Sequence, residues 1–482
     1  MRVQSPVRSG HSPRRERAEC FRGFVLVAVL VLVMLVSMVA VSLLFQLKAE
    51  DTASSASTAS EQAWAAAMSG VREAMRLASK ASPGSTDWQN QPAACRDRFV
   101  FDDGSDQWFF TIYSPGAGDS LGELRYGLTD EASKLNINHA HTADLSQLPR
   151  LTPSLVAALR DFVDFDDTPR LDGAEQEYYS ALPRPYAVRN RPLDTLDQLL
   201  LVRGFTPALL YGEDLNQNWR LDANENDGDE RFPPDNNDSK LDLGLRQYLT
   251  VASYEPNEDN DGVPRTNLND PLAVWPGVEL PAALTNFMAV LRTNGMQLTN
   301  VAELLEAKVK VKNNKGATVE ISSGVGKAEL ATVLDLFTIS REDRQHGLIN
   351  VNTASASVLT TVPGIDEPLA ESILSCSRGM SPEQRTTIAW LYDQGIVNAA
   401  LFKQLAPHLT ARSFQYSFHV IGYGLPSGRY RVLDVVIDLG QGEPRVTYLR
   451  DLTRLGLPFK PGAERVESPV ARISRRKEVH RG

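Results

Sequence analysis

The stretch RGFVLVAVLVLVMLVSMVAVSLLF, Arg22 to Phe45, holds a run of 22 residues after its Gly, with only Ser37 and Ser42 polar and no charge. A helix of about 20 apolar residues crosses the hydrocarbon core of a bilayer, since each residue advances it by about 1.5 Å. Six Arg precede the run against Glu16 and Glu19, and an acidic body follows. Basic flanks stay on the cytoplasmic side, so residues 1–23 are expected there and the body outside. A secretory signal peptide fits less well. Its apolar region usually spans about 7–15 residues and closes in a small-residue cleavage site, whereas this run continues into Gln46-Leu47-Lys48-Ala49-Glu50. An ordinary signal anchor is the plain alternative.

The remainder is built to fold. The chain has 482 residues, 42 % hydrophobic and 23 % charged. At about 100–200 residues per domain, that allows two to four units. The net charge of −10 is unevenly spread: residues 1–23 and the tail from Lys460 each carry +4, leaving about −18 on the body. Such a body repels nucleic acid and suits divalent cations. Cys20 lies in the leader, so Cys95 and Cys376 are a possible disulfide pair.

Residues 46–80 continue the helix, with Trp64, Met68, Val71, Met75 and Ala78 forming one apolar face, and Pro83-Gly84 ends it. Arg98–Phe101 and Gln107–Tyr113 flank the turn signal Asp102–Ser105, and a short strand is expected near Leu124–Leu128. A mostly helical middle runs from about 130 to 405. Strands return at Gln415–Tyr423, Tyr430–Leu439 and Val446–Asp451. The expected fold class is α+β: a long membrane helix and a small antiparallel sheet, interrupted by a large helical domain of helix-hairpin-helix (SAM-like) type.

Three segments of the middle resemble one another: Leu135-Asn136-Ile137-Asn138, Thr266-Asn267-Leu268-Asn269 and Ile349-Asn350-Val351-Asn352-Thr353. In each, the second Asn, or Thr353, is placed to cap a following helix. Two hairpin signals accompany them, Leu199–Phe205 followed by Thr206-Pro207, and Val358–Ile365 followed by Leu369–Leu374, with Gly204 and Gly364 at the turns. Such hairpins often hold phosphates on backbone amides. In acidic surroundings a packing or protein-contact role is the better reading, and no nucleic acid partner is expected.

Asp214-Leu215-Asn216-Gln217-Asn218-Trp219-Arg220-Leu221-Asp222-Ala223-Asn224-Glu225 fits a twelve-residue calcium loop. Asp214, Asn216, Asn218 and Asp222 would offer side-chain oxygens, Arg220 its carbonyl and Glu225 the twelfth-position carboxylate, because Ca²⁺ takes about six to eight oxygens around one point. Trp219 stands where Gly normally makes the sharp turn, which lowers affinity or shifts the backbone. A solvated Asx-rich loop is the alternative. Asp227–Asp242, with Asp235, Asn237 and Ser239, and Asn257–Gly262 have partial ligand spacing and either complete that site or form others. The seven His are scattered, with only His139 and His141 close, so an enzyme has little support.

Two sets of residues carry a family resemblance. Arg22-Gly23-Phe24 at the junction of basic leader and apolar run resembles the prepilin leader of type IV pilins and pseudopilins. That resemblance implies cleavage after Gly23 by a prepilin peptidase and methylation of Phe24. Ala28 stands where most pilins have Glu, as in the K subunit of type II secretion pseudopili. Thr129–Asn138 resembles the opening signature of that type II secretion protein K family. Phe162–Asp167, Gly173–Tyr179, Pro192–Gly204, Leu249–Val251 and Ile349–Gly364 follow in its order. The resemblance implies a minor pseudopilin in the inner membrane, a structural tip subunit of the pseudopilus that supports protein export. Its partners would be the other minor pseudopilins of the tip complex. A membrane-anchored, calcium-dependent binding or adhesion protein is the alternative, and a DNA-uptake protein a third. The expected divisions are a leader 1–23, membrane helix 24–45, stalk 46–80, first head part 81–130, inserted helical domain 131–345, second hairpin segment 346–405, C-terminal strands 406–459 and a disordered tail 460–482.

Overall fold

The structure, a computed structural model, describes residues 17–116, 122–228, 230–278, 280–312 and 318–461, with side chains from Val25 onward. The side chains of Gly23 and Phe24, most of the leader and all but the first residues of the tail lie outside that set. The chain divides into two compact units, residues 1–62 and 63–482.

The described residues of the first unit form one helix. Helix α1 spans Arg17–Lys80, and its residues from 63 onward belong to the second unit. Every large apolar side chain from Val25 to Leu47 is exposed, the least of them, Val31, at 48 %. An apolar helix surface with no protein over it is what a lipid-facing span requires. It is long and apolar enough to cross a membrane.

In the second unit α1 lies on an antiparallel sheet. The strands are β1 (Arg98–Asp102), β2 (Gln107–Pro115), β3 (Leu124–Arg125), β4 (Thr129–Asp130), β5 (Gln415–Leu425), β6 (Tyr430–Asp438) and β7 (Arg445–Asp451). Their order is β1-β2-β5-β6-β7, with β3 on β2 and β4 on β5. Val420 opposes Ile112, so adjacent strands are joined through nearly 300 residues of chain. Strands therefore bracket an insertion, as the pattern of β-formers implied.

The helix face is built from small residues. Ala67, Val71 and Ala74 are buried against Phe418, Val420, Leu433 and Val435, and Ala63 is buried one turn before them. A Cβ on Gly422 would stand 2.1 Å from the Ala63 carbonyl oxygen and 2.4 Å from the Ala67 nitrogen. Only glycine in the central strand lets the helix backbone come this near. Gly422→Ala is expected to destabilise the body by about 1–3 kcal/mol or more, because the clash is with backbone and no rotamer relieves it. Thermal unfolding of the full chain in detergent checks this; an unchanged midpoint would refute the close approach.

The insertion repeats one device three times. Leu135–Asn136 pairs in parallel with Leu249–Thr250, Thr266–Asn267 with Phe337–Thr338, and Ile349–Asn350 with Leu409–Thr410. In each, the first Asn accepts a hydrogen bond from the backbone two residues on, and the Thr hydroxyl does the same. The second Asn does not cap a helix, contrary to expectation. Asn138 holds both the N–H and the carbonyl of Leu193, and Asn269 those of Leu298. Asn352 donates to the carbonyls of Arg385 and Ala411. Thr353 bonds Asp130, and Ser355 caps the helix at Ala356–Leu359. A distant backbone pair satisfies donor and acceptor together, which a cap does not.

Gly204 (φ +84°) and Gly364 (φ +100°) make the expected hairpin turns. A third hairpin sits at Leu148–Pro153, where Arg150 takes φ +68° and Thr152 caps the helix Pro153–Val163. Arg in place of Gly hid it in the sequence. The middle also holds an antiparallel ribbon, Lys308–Lys312 with Thr318–Ser322, within the stretch expected to be helical. One apolar core runs from Leu135 to Ala411, through residues of both 131–345 and 346–405. Cys95 and Cys376 are free thiols, not a pair: Cys95 belongs to the core between α1 and the sheet, and Cys376 lies beside Met380 in the insertion.

Candidate functional site

The loop from Asp214 to Glu225 winds around its own carboxylates. Asp214 accepts from the N–H groups of Asn218 (2.9 Å) and Trp219 (3.1 Å). Asn216 and Asn218 donate their side-chain amides to Asp222 Oδ2 at 2.9 and 2.8 Å. Their Oδ1 atoms accept from Asn218 N and Arg220 N. Glu225 Oε2 closes the turn on Asp222 N at 3.0 Å. Arg220, expected to offer its carbonyl, is held by its N–H and by its guanidinium on the Pro458 carbonyl. The predicted residues thus share one wound turn.

Its charges are poorly compensated. Asp214 and Glu225 are buried. Burial and the neighbouring Asp222 push the Asp214 carboxyl up to about 6. Burial with Asp214, Asp222 and Glu213 nearby pushes Glu225 up to about 8. Like charges without a cation resist ionisation, and a bound cation reverses that.

Trp219 resolves the departure from the glycine pattern. Its backbone takes φ +63°, the left-handed conformation the missing Gly would have used. That costs about 1–2 kcal/mol for a residue with a side chain. The indole offsets it by stacking on His419, with ring centroids 3.5 Å apart, and by meeting Tyr113 edge-on. His419 is fully buried and neither ring nitrogen has a hydrogen bond; burial holds it neutral, at about 3. Arg246 bridges Gln217 and the buried Asp434 of β6 at 2.6 Å each. Trp219, Leu241 and Leu243 share an apolar cluster with Ile421, Tyr423 and Val432, so the acidic region covers the sheet face away from α1.

The neighbouring acidic stretches behave differently from each other. Glu213 accepts from Asn236 N and Asp242 N, which ties the Asp227–Asp242 stretch to the loop. Asp235, Asn237 and Ser239 lie in turns there, Asn237 and Ser239 at positive φ. Asn257–Gly262 closes on itself through Asp259 and packs on Asp335 and Arg412, so it does not complete the loop's site. Among the described residues, Asp161, Asp164 and Glu175 each place one carboxylate oxygen within 4.8 Å of the other two. Their spacing along the sequence is not that of a ligand loop. Only the folding of their loop brings them together.

The Thr129–Asn138 signature has its own physical role. Asp130, at the end of β4, accepts from Ala132 N, Asn350, Thr353 and Ser413 at 2.6–2.9 Å. Glu131 binds Lys134, Thr250 and Ser417. These two carboxylates join the first and third repeats to the central strand.

Comparison with known proteins agrees. The family model for type II secretion system protein K, first domain, matches residues 133–211. That segment holds the Asn136–Asn138 clamp, the Asp161–Glu175 cluster and the Gly204 hairpin. The chain is 33 % identical over 132 residues to type II secretion system protein K of Klebsiella pneumoniae, covering 27 % of this chain and 40 % of that one. It is 38 % identical over 55 residues to the protein of the same name from Pectobacterium carotovorum subsp. carotovorum, covering 11 % and 17 %. The matches therefore span less than half the length of these relatives. The solved GspK–GspI–GspJ complex of enterotoxigenic Escherichia coli includes a chain that aligns with 81 % of this one and 96 % of itself, at 12 % identity and a TM-score of 0.38. The matched segment and the two relatives make the chain similar, over part of its length, to type II secretion system protein K.

Proposed function

We propose that this chain is a minor pseudopilin, a structural and non-enzymatic subunit at the tip of a type II secretion pseudopilus. The observation that supports it best is the helix α1: lipid-compatible over Val25–Leu47 and continued as the packing helix of a sheet, with a large insertion between two neighbouring strands. The helix anchors the subunit in the inner membrane, with the leader cytoplasmic and the body periplasmic. The other minor pseudopilins pack beside it, and the bulk of the insertion blocks further stacking. The loop from Asp214 to Glu225 binds Ca²⁺ through Asp214, Asn216, Asn218, Asp222 and Glu225, with Arg220 inside the turn, and stiffens the insertion against the sheet.

Processing is the decisive test. Mass spectrometry of the chain made in cells that hold a prepilin peptidase is expected to find N-terminally methylated Phe24 and no residues 1–23. Retention of the leader would count against the reading.

A further inference from the structure

The ribbon of Lys308–Lys312 and Thr318–Ser322 is a sheet of two strands, and among the described residues no third strand pairs with either side. Its hydrogen bonds fix which way each backbone group points. In an antiparallel pair, residues that exchange both bonds with the partner alternate with residues whose N–H and C=O turn away. The Ser323 N–H donates to the Ala307 carbonyl, and in the same register Val309 opposes Ile321 and Val311 opposes Val319. The bonded positions are therefore Val309 and Val311. Lys308, Lys310 and Lys312 turn their own N–H and C=O groups to the outer edge. Among the described residues, no backbone hydrogen bond from elsewhere in the chain reaches that edge.

The same three residues carry the charge. All three lysines are exposed, whereas Val309 and Val311 on the other face are half-buried, and Val309 packs against the core of the insertion. The carboxylate on the lysine face is Glu320, which opposes Lys310 and pairs with Lys308 at 3.0 Å. Three ammonium groups against one carboxylate leave two positive charges, on a body that is otherwise strongly acidic. Lysines on an edge strand guard against edge-to-edge pairing, because two edges of like charge repel. The same repulsion selects: a second copy of this edge is refused, and an acidic strand is attracted.

We infer that the outer edge of Lys308–Lys312 is a docking edge for an extended, acidic segment of a partner protein, which adds to the ribbon as a third strand. The main chain of that segment bonds the outward N–H and C=O groups of Lys308, Lys310 and Lys312. Its side chains alternate, with carboxylates beside the lysines and apolar groups beside Val309 and Val311.

The test follows the fluorescence anisotropy of a labelled peptide of alternating Glu and Val, titrated with the full chain in uncharged detergent micelles. The expected result is saturable binding that weakens as salt is raised. Charge reversal in K308E/K310E/K312E is expected to weaken it by about tenfold or more, and to confer binding of a peptide of alternating Lys and Val. Lys310→Gln and Lys310→Pro separate charge from strand addition. Both remove the ammonium, but only proline also removes the outward N–H, which the ribbon itself does not use. K310P is expected to bind about three- to tenfold more weakly than K310Q. Melting by circular dichroism checks that K310P is folded; if it is not, the same pair of substitutions at Lys312, the end of the strand, makes the comparison. The docking edge is overturned if the Glu–Val peptide does not bind, if a peptide with the same residues in two blocks binds as tightly, or if the Pro and Gln variants bind alike. The first outcome leaves lysines that only guard the edge, and the other two leave a diffuse basic patch.

Discussion

Asp130→Ala is expected to destabilise the body by about 3–5 kcal/mol, the range for removing one partner of a buried charged network. The carboxylate is 1 % exposed and collects four donors from three separate stretches of chain. Truncation leaves Asn350, Thr353 and Ser413 with buried polar groups aimed at a cavity. Asp130→Asn is not a rescue, since it brings two more donors to a place that already has four. The pH dependence has a definite sign. Burial holds Asp130 at about 6 in the fold, above its ordinary value of 3.8. The folded state therefore takes up a proton that the unfolded state has lost, and this group's contribution to stability declines as pH rises from about 4 to 6. The alanine variant should lack that part of the slope. Thermal unfolding of both proteins across this range measures it; a difference below about 1 kcal/mol would show that the signature does not hold the repeats to the sheet.

The proposed Ca²⁺ site at the Asp214–Glu225 loop carries the second large expected effect, on removal of the ion. A site held at about a hundred times its dissociation constant adds about 2.7 kcal/mol to stability. Chelation by EDTA is therefore expected to lower the melting temperature by several degrees, and the part assigned to the loop should vanish in D214N/E225Q. Because Trp219 is both the sixth residue of the loop and the plate stacked on His419, its emission should shift to the red as the loop loosens. Trp219→Gly separates the two roles. It relieves the left-handed strain and so tightens Ca²⁺ binding, yet loses the stack and lowers the stability of the body. Equal Ca²⁺ affinity in both proteins would show that the indole sets no strain on the loop.

The wound turn at Asp214–Glu225 was legible because its signals are local. The alternation of Asp and Asn from Asp214 to Asp222 places oxygens on one side of a tight turn whatever surrounds it. The use of Trp219 was not legible, because its partner His419 lies 200 residues further on. The motif Asn136-Ile137-Asn138 was visible as a repeat, but its task was misassigned. A cap is the local use of Asn, whereas this Asn138 reaches Leu193. The hairpin at Arg150 escaped because the turn depends on backbone conformation, and the residue there is not the usual one.

The sequence by itself determined the membrane helix, the strands that bracket an insertion and the acidic turn. Each follows from periodicity, charge or spacing within one element. Tertiary structure alone decided that Asp161, Asp164 and Glu175 converge with Glu175 unpaired, and that Thr250, Thr338 and Thr410 close the three ladders. It also decided that Gly422 brings a helix onto the central strand. These depend on which distant segments meet when the core from Leu135 to Ala411 closes, and on how near two backbones come. No spacing along the chain encodes those distances.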